Sequence, residues 1–145
     1  MHSIIIHHSL TTDGQTVSWP AIRRYHTQVK CWDDIGYHFG IELIEDNFEI
    51  LFGRPLHKQG AHTKGHNSGS IGICVVGNFD KVKPPAGVIR KLCELVLLMQ
   101  RAYDIRDSSI YFHRDFASYK TCPGKLFDKE VFIESLRSYR DEHIF

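Results

Sequence analysis

Apolar and polar residues alternate along the chain in blocks that predict eight secondary-structure elements. Apolar runs at residues 3–8 and 71–79 predict strands, the second of them buried on both faces in the middle of a sheet. Two apolar runs on either side of a short turn predict a β-hairpin over residues 36–54. A short apolar run at residues 109–113 predicts a further strand. The turn residues of the hairpin are Glu45, Asp46 and Asn47.

Three segments have the pattern of helices. The first spans residues 18–29, where Ser18 is suited to cap the N-terminus. A long helix follows the prolines at 84–85, and its apolar residues recur at helical spacing on one face. A closing helix is predicted over residues 127–143, with Asp128 placed to favour its N-terminus. The apolar face of the long helix consists of Val88, Leu92, Leu95, Val96 and Met99.

The predicted elements follow one another in the order β-α-β-β-β-α-β-α. Residues 10–16 and 55–70 are rich in polar residues and glycine, without a periodic pattern, and predict loops. The chain contains no internal repeat and no linker-like segment. We therefore predict a single α/β domain over residues 1–145, with a central mixed β-sheet flanked by helices.

The composition excludes several classes of function. With 42% hydrophobic and 24% charged residues, the chain is typical of a globular protein. Its 18 basic and 17 acidic residues nearly cancel, which disfavours a nucleic-acid partner. No apolar stretch approaches the length of a membrane span, and we expect no secretory signal. We expect a monomer that binds neither nucleic acid nor membrane, with its four cysteines reduced.

Histidine and cysteine residues suggest a metal site. His113 and Cys122 stand at the two ends of a polar loop that can fold both side chains onto one ion. Catalytic zinc sites typically have three protein ligands and an open position for water. The third ligand would be His7 or His8, at the end of the first predicted strand. Because neighbouring strand residues point to opposite faces, only one of the two should face the ion.

Four stretches occur in a familiar order: "IIIHHSLT", "WDDIGYHFGI", "GAHTKGHNSGSIGICVVGNFD" and "HRDFASYKTCPG". Together they resemble the zinc-dependent N-acetylmuramoyl-L-alanine amidases, a superfamily that includes amidase-type phage lysozymes and peptidoglycan recognition proteins. The resemblance covers the chain from about residue 4 to residue 136. It implies a mixed sheet with helices on its faces. It also implies hydrolysis of the amide between N-acetylmuramic acid and L-alanine in peptidoglycan.

The resemblance also implies a set of site residues. His7, His113 and Cys122 would hold one zinc ion per chain, and Tyr37 and Lys120 would be catalytic. Zinc lowers the pKa of a bound water from about 16 to roughly 7, which suits amide hydrolysis at neutral pH. The ammonium of Lys120 would stabilise the oxyanion, and the phenol of Tyr37, a weak base, would orient groups by hydrogen bonding.

The groove beside the predicted metal would be formed by the loop at residues 60–70 and its surroundings. We predict that His62 and Asn67 hydrogen-bond the glycan or the stem peptide, and that Trp32 stacks on a sugar ring.

Three alternative functions share some of these residues. A peptidoglycan-binding recognition module would have the same fold without activity, but such proteins typically lack the cysteine ligand. A cysteine peptidase would use Cys122 as a free thiolate. A structural zinc domain would normally have four protein ligands, and only three are found here. The five matching positions favour an active amidase.

The cellular setting is expected from the same features. Cytoplasmic recycling amidases have a carboxylate where this chain has Cys122, which disfavours that class. We expect a phage or prophage endolysin, made in the cytoplasm and passed to the cell wall through the membrane by a holin-like protein.

Overall fold

The computed structural model describes residues 1–10 and 18–143. These residues form five strands: β1 (Ser3–His8), β2 (Phe39–Ile44), β3 (Asn47–Phe52), β4 (Ser70–Val75) and β5 (Ile110–Phe112). The strands form one mixed sheet in the order β3-β2-β4-β1-β5, with β1 between two parallel neighbours. Strand β2 pairs with β4 in parallel and with β3 in antiparallel orientation.

Within residues 1–10 and 18–143, three α-helices accompany the sheet: α1 (Trp19–Arg24), α2 (Ala86–Tyr103) and α3 (Lys129–Glu142). A π-helical turn, Tyr25–Val29, continues α1, and two short 3₁₀ turns flank β5 at Asp107–Ser109 and His113–Asp115. The element order and the mixed sheet confirm the predicted fold class. No helix in the described part of the chain is both long enough and apolar enough to span a membrane.

The hydrophobic core lies between one face of the sheet and the two long helices. Ile4 and Ile6 of β1 belong to it, together with the predicted apolar face of α2, in which Leu92 is fully buried. A smaller cluster on the opposite face contains Trp19 and Cys74, with Tyr37 packed against it. Because strand residues alternate between faces, Ile5 and His7 of β1 point toward this second face. The metal candidate and the main core are therefore on opposite sides of the sheet.

The structure moves several predicted boundaries. The helix predicted over 18–29 is an α-helix only as far as Arg24. The strand predicted over 71–79 ends at Val75. Beyond it, the Gly77 amide donates a hydrogen bond to a side chain, Ser9 Oγ at 2.8 Å, and not to the backbone of a neighbouring strand.

In the hairpin, Glu45 adopts a left-handed conformation (φ 56°), which closes the turn one residue early and makes Asn47 the first residue of β3. Tyr37 precedes β2, and His113 follows β5. Of the loop predicted at 10–16, residues 11–16 lie outside the described residues.

Candidate metal centre and active site

The three predicted metal ligands converge in the structure. One ligand atom from each of His7, His113 and Cys122 lies within 4.8 Å of the other two. The Nδ1 atom of His7 is 3.8 Å from Sγ of Cys122, and the His7 and His113 ring centroids are 4.6 Å apart. These separations allow all three atoms to bind one ion.

The parallel sheet explains why the two histidines meet. Ile6 of β1 is in register with Phe112 of β5, so the residues that follow them emerge side by side at the carboxyl edge of the sheet. His113 begins a 3₁₀ turn immediately after β5. The Asp115 carboxylate holds that turn by accepting the Phe112 amide at 2.8 Å. Carboxyl edges of parallel strands are common locations of binding sites in α/β folds.

Arg114 fixes the loop that returns Cys122 to the two histidines. Its amide donates to the Cys122 carbonyl at 2.9 Å. Its guanidinium donates to the carbonyls of Gly124 and Phe127, each at 2.7 Å. The His8 amide also donates to Sγ of Cys122 at 3.4 Å, which favours the thiolate form. Sequence analysis missed the role of Arg114, whose only signal was its place beside His113.

The electrostatic environment leaves the imidazole ligands neutral. Burial is the main reason that the pKa of His7 lies well below its usual value, and the neighbouring His62 and His113 lower this pKa further. Burial, followed by the positive charge of Lys120, lowers the pKa of His113. Burial raises the pKa of the Cys122 thiol to about 11. Neutral imidazoles are the form that binds metals, and a metal ion would displace the thiol proton.

The donor set fits zinc. Two imidazole nitrogens and one thiolate match the ligands that zinc prefers. Among the described residues, no fourth histidine, cysteine, aspartate or glutamate completes the group formed by His7, His113 and Cys122. A tetrahedral ion bound by these atoms would keep one position for water or substrate, as catalytic zinc sites do.

Tyr37 and Lys120, the predicted catalytic residues, both line the cavity above the three ligands. The Tyr37 ring lies 5.2 Å from the His7 ring. Burial is the main reason that the pKa of Tyr37 lies well above its usual value, and the thiols of Cys74 and Cys122 raise this pKa further. Its hydroxyl is therefore protonated at neutral pH. The ammonium of Lys120 is near enough to contribute to the lowered pKa of His7 and of His113, and at Cys122 it opposes the rise that burial causes.

His8 lies on the other face of β1, as the alternation predicts. The Phe79 amide donates to His8 Nδ1 at 3.2 Å, and the two rings stack with centroids 6.1 Å apart. Burial lowers the pKa of His8 to about 4. The ring of His8 is thus a hydrogen-bonded part of the structure around Phe79.

The three predicted substrate-binding residues lie beside the ligands, with different environments. Trp32 is half-buried and lines the cavity, with its ring 4.7 Å from that of His26. Asn67 Oδ1 accepts the amides of His62 and Thr63, both at 2.8 Å, and so shapes the loop. His62 is packed directly behind His7, with 3.0 Å between His7 Nε2 and His62 Nδ1. Substrate binding by Trp32, His62 and Asn67 stays a prediction.

A groove passes over the ligands. It consists of two adjoining cavities of about 510 and 660 Å³, both lined by Trp32, His62, His113, Tyr119 and Lys120. The described residues that line them include the lysines at positions 30, 64 and 120 and no aspartate or glutamate. The groove is therefore positively charged in a molecule whose formal net charge is only +1.

Comparison with known protein families gives one match over most of the chain. A family model described as "N-acetylmuramoyl-L-alanine amidase" matches residues 1–125. The endolysin of Enterobacteria phage T3 is 34% identical over 128 residues, which cover 84% of this chain and 80% of the endolysin. The human N-acetylmuramoyl-L-alanine amidase is 35% identical over 111 residues. That alignment covers 74% of this chain but only 19% of the human protein.

Among solved structures, the N-acetylmuramoyl-L-alanine amidase LysC from Clostridium intestinale URNW has a similar fold. The two superpose with a TM-score of 0.80 at 29% sequence identity, covering 94% of this chain and 85% of LysC. The fold and the family that the sequence motifs predicted are confirmed by these matches.

Proposed function

We propose that this chain, which belongs to the N-acetylmuramoyl-L-alanine amidase family, hydrolyses peptidoglycan at a zinc ion bound by His7, His113 and Cys122. The bond cleaved is the amide between N-acetylmuramic acid and the L-alanine of the stem peptide. The observation that carries the proposal is the convergence of three zinc-type ligands beneath an open groove. Amidase activity is supported by the family match and by the similarity to the phage T3 endolysin.

A zinc ion at this site would supply Lewis acidity, which polarises the scissile carbonyl and lowers the pKa of water. The chain's own residues supply the rest. His7 and His113 stay neutral because their burial disfavours the charged form. The His8 amide stabilises negative charge on Cys122 by donating to its sulfur.

Tyr37 and Lys120 both line the cavity at the ligand group and act on the substrate there. The protonated Tyr37 hydroxyl, on a ring that lines the cavity, would orient the attacking water or the carbonyl oxygen by hydrogen bonding. Lys120 places a positive charge where the carbonyl oxygen becomes negative during attack. A preorganised donor of this kind commonly contributes a factor of about 10² to 10³ in rate.

The groove charge suits the stem peptide. Stem peptides carry free carboxylates, and the lysines at positions 30 and 64 stand along the groove without acidic neighbours among the described lining residues. Opposite charges raise the local concentration of substrate and favour one orientation of the peptide. Trp32 offers an apolar surface for a sugar ring in the same groove.

The alternatives fit the site less well. A cysteine peptidase needs a thiolate nucleophile, but burial raises the pKa of Cys122 to about 11, so the metal-free thiol is protonated. A structural zinc site would normally be closed by a fourth protein ligand. A recognition module that only binds peptidoglycan has no need for Tyr37 and Lys120 beside an open metal position.

The biological role we propose is that of a phage or prophage endolysin that degrades the bacterial cell wall. This is supported by the similarity to the phage T3 endolysin over most of both chains. In this role the protein is made in the cytoplasm, reaches the wall through a membrane opened by another protein and works as a monomer.

The experiment is clearing of purified peptidoglycan with analysis of the new chemical ends. We expect clearing that a chelator abolishes and added zinc restores, with new N-terminal alanine and no new reducing sugar ends. New reducing ends would instead identify a glycosidase and contradict the proposal. Cys122→Ser should abolish clearing, whereas Cys31→Ser, at an exposed cysteine that does not line the groove, should not.

A further inference from the structure

We infer that His62 is the positioning residue of His7: it accepts the His7 Nε2 proton and so directs His7 Nδ1 toward the metal. The inference rests on the proposed role of His7 as a zinc ligand. His62 Nδ1 lies 3.0 Å from His7 Nε2, and the two rings meet edge to face, with centroids 5.0 Å apart at 83°.

The direction of this hydrogen bond follows from the position of the other ligands. His7 Nδ1 faces the Cys122 sulfur at 3.8 Å, so Nδ1 is the atom available to the ion and must carry a lone pair. A neutral imidazole then has its proton on Nε2. Nε2 of His7 therefore donates, and its nearer acceptor is Nδ1 of His62 at 3.0 Å, with the Thr63 hydroxyl farther away at 3.3 Å.

The next hydrogen bonds agree with that direction. With a lone pair on Nδ1, the neutral His62 ring carries its proton on Nε2, which lies 3.4 Å from Ser70 Oγ. The Ser70 hydroxyl in turn donates to the His66 carbonyl at 2.7 Å. His62 and Ser70 each accept one hydrogen bond and donate one. The opposite direction would require the Ser70 hydroxyl to donate to His62 and to give up its 2.7 Å hydrogen bond to the His66 carbonyl.

Two glycines, Gly60 and Gly72, leave the space that the His62 ring occupies. A Cβ atom at Gly72 would overlap the ring, and one at Gly60 would come within 2.6 Å of its Cδ2 atom. Only glycine at these two positions allows the ring to lie there. The Thr63 hydroxyl is 3.0 Å from His62 Nδ1, and Asn67 Oδ1 accepts the His62 backbone amide at 2.8 Å.

These contacts give His62 a function distinct from substrate binding. A metal-bound histidine usually donates its second N–H to a fixed acceptor, which sets its tautomer and ring orientation. Loss of such an acceptor typically weakens metal binding by about 10- to 100-fold. Here the acceptor is a second imidazole, supplied by the loop at residues 60–70 and braced from β4 by Ser70.

The test is the zinc dissociation constant, measured by competition with a chromophoric chelator. We expect His62→Ala to weaken zinc binding about 10- to 100-fold. His62→Gln, whose amide oxygen can accept the same proton, should recover part of the loss. His57→Ala is the matched control, because His57 is exposed and does not line the groove. Wild-type affinity in His62→Ala, with activity lost, would overturn the inference and leave only a substrate contact.

A second variant leaves every histidine in place. Gly72→Ala should displace the His62 ring and weaken zinc binding in the same direction, without further weakening in the His62→Ala background. Unfolding of each variant in chelator checks that its metal-free fold is retained. If Gly72→Ala folds and binds zinc like the wild type, the position of the His62 ring does not control zinc binding. A wild-type chain that binds no zinc would refute the proposed function itself, which separates the two failures.

Discussion

Removing the metal from the proposed site should lower the stability of the whole fold. His7 is separated from Cys122 by 115 positions in the chain, and His113 stands at the other end of the loop that carries Cys122. An unfolded chain does not hold these three side chains together. The free energy of zinc binding is therefore available almost entirely to the folded state.

The size of the effect follows from linkage. At a free zinc concentration about 1,000 times the dissociation constant, a ligand that binds only the folded state stabilises it by about 4.1 kcal/mol. In a domain of roughly 150 residues, each kcal/mol changes Tm by about 2–4 °C. Chelation should therefore lower Tm by about 8–16 °C.

The assay is calorimetric unfolding of metal-free and zinc-loaded protein, with free zinc held constant by a buffer. Cys31→Ala, at an exposed cysteine, should keep the full difference between the two forms. Cys122→Ala should lose most of it, because one of the three ligands is gone. Equal stabilisation of Cys122→Ala and the wild type by zinc would refute the ligand assignment, since the ion would then bind elsewhere.

Three further predictions concern catalysis, substrate charge and pH. Tyr37→Phe and Lys120→Gln should each lower kcat by about 10²- to 10³-fold at unchanged zinc content, measured on a defined muramoyl peptide. Lys30→Gln and Lys64→Gln should raise KM for muramoyl peptides with free carboxylates, leave kcat unchanged and reduce the salt dependence of binding. Asp107→Asn should lower the free energy of unfolding at pH 7, measured by urea titration, by about 1 kcal/mol. This value is small because the ion pair between Asp107 and Arg140 is partly exposed to solvent.

Each of these predictions has a control or a contradicting result. Loss of zinc from Tyr37→Phe would show a structural role in place of a catalytic one. Lys83→Gln, outside the groove lining, should leave KM unchanged, and equal effects on amidated peptides would contradict the charge argument.

The pH dependence of the Asp107 effect has a definite sign. Hydrogen bonds from Arg140 lower the pKa of Asp107, so its stabilisation is present above the unfolded-state pKa and is lost as the pH falls through the lower folded-state value. An Asp107→Asn effect that persisted below that window would mean that packing, and not charge, is responsible.

Much of the fold could be predicted because the local pattern of apolar residues identifies most of its helices and strands. The apolar face of α2 recurs at helical spacing, and the run at 71–79 is too continuously apolar for a surface strand. The ends of elements could not be predicted, since they depend on partners elsewhere in the chain. Strand β4 ends where Gly77 bonds Ser9, a residue 68 positions away.

The candidate ligands could be named from the sequence for a similar reason. His7 lies one residue before the end of β1 and His113 directly follows β5, and parallel neighbours bring such positions to one edge. The sequence motif identifies the loop that carries Cys122. It does not show that hydrogen bonds from Arg114 hold this loop in place. That role rests on carbonyl positions at Cys122, Gly124 and Phe127, which only the folded backbone provides.

His62 shows where sequence reasoning gave an incomplete answer. The sequence predicts that His62 binds substrate, and its side chain lines the groove. Its two ring nitrogens, however, are hydrogen-bonded to His7 and Ser70, residues 55 and 8 positions away. A role in zinc binding predicts a change in metal affinity, whereas substrate contact predicts a change in KM at full zinc occupancy. Because His62→Gln retains an acceptor for His7 while altering the groove surface, its zinc affinity and its KM should change independently if His62 has both roles.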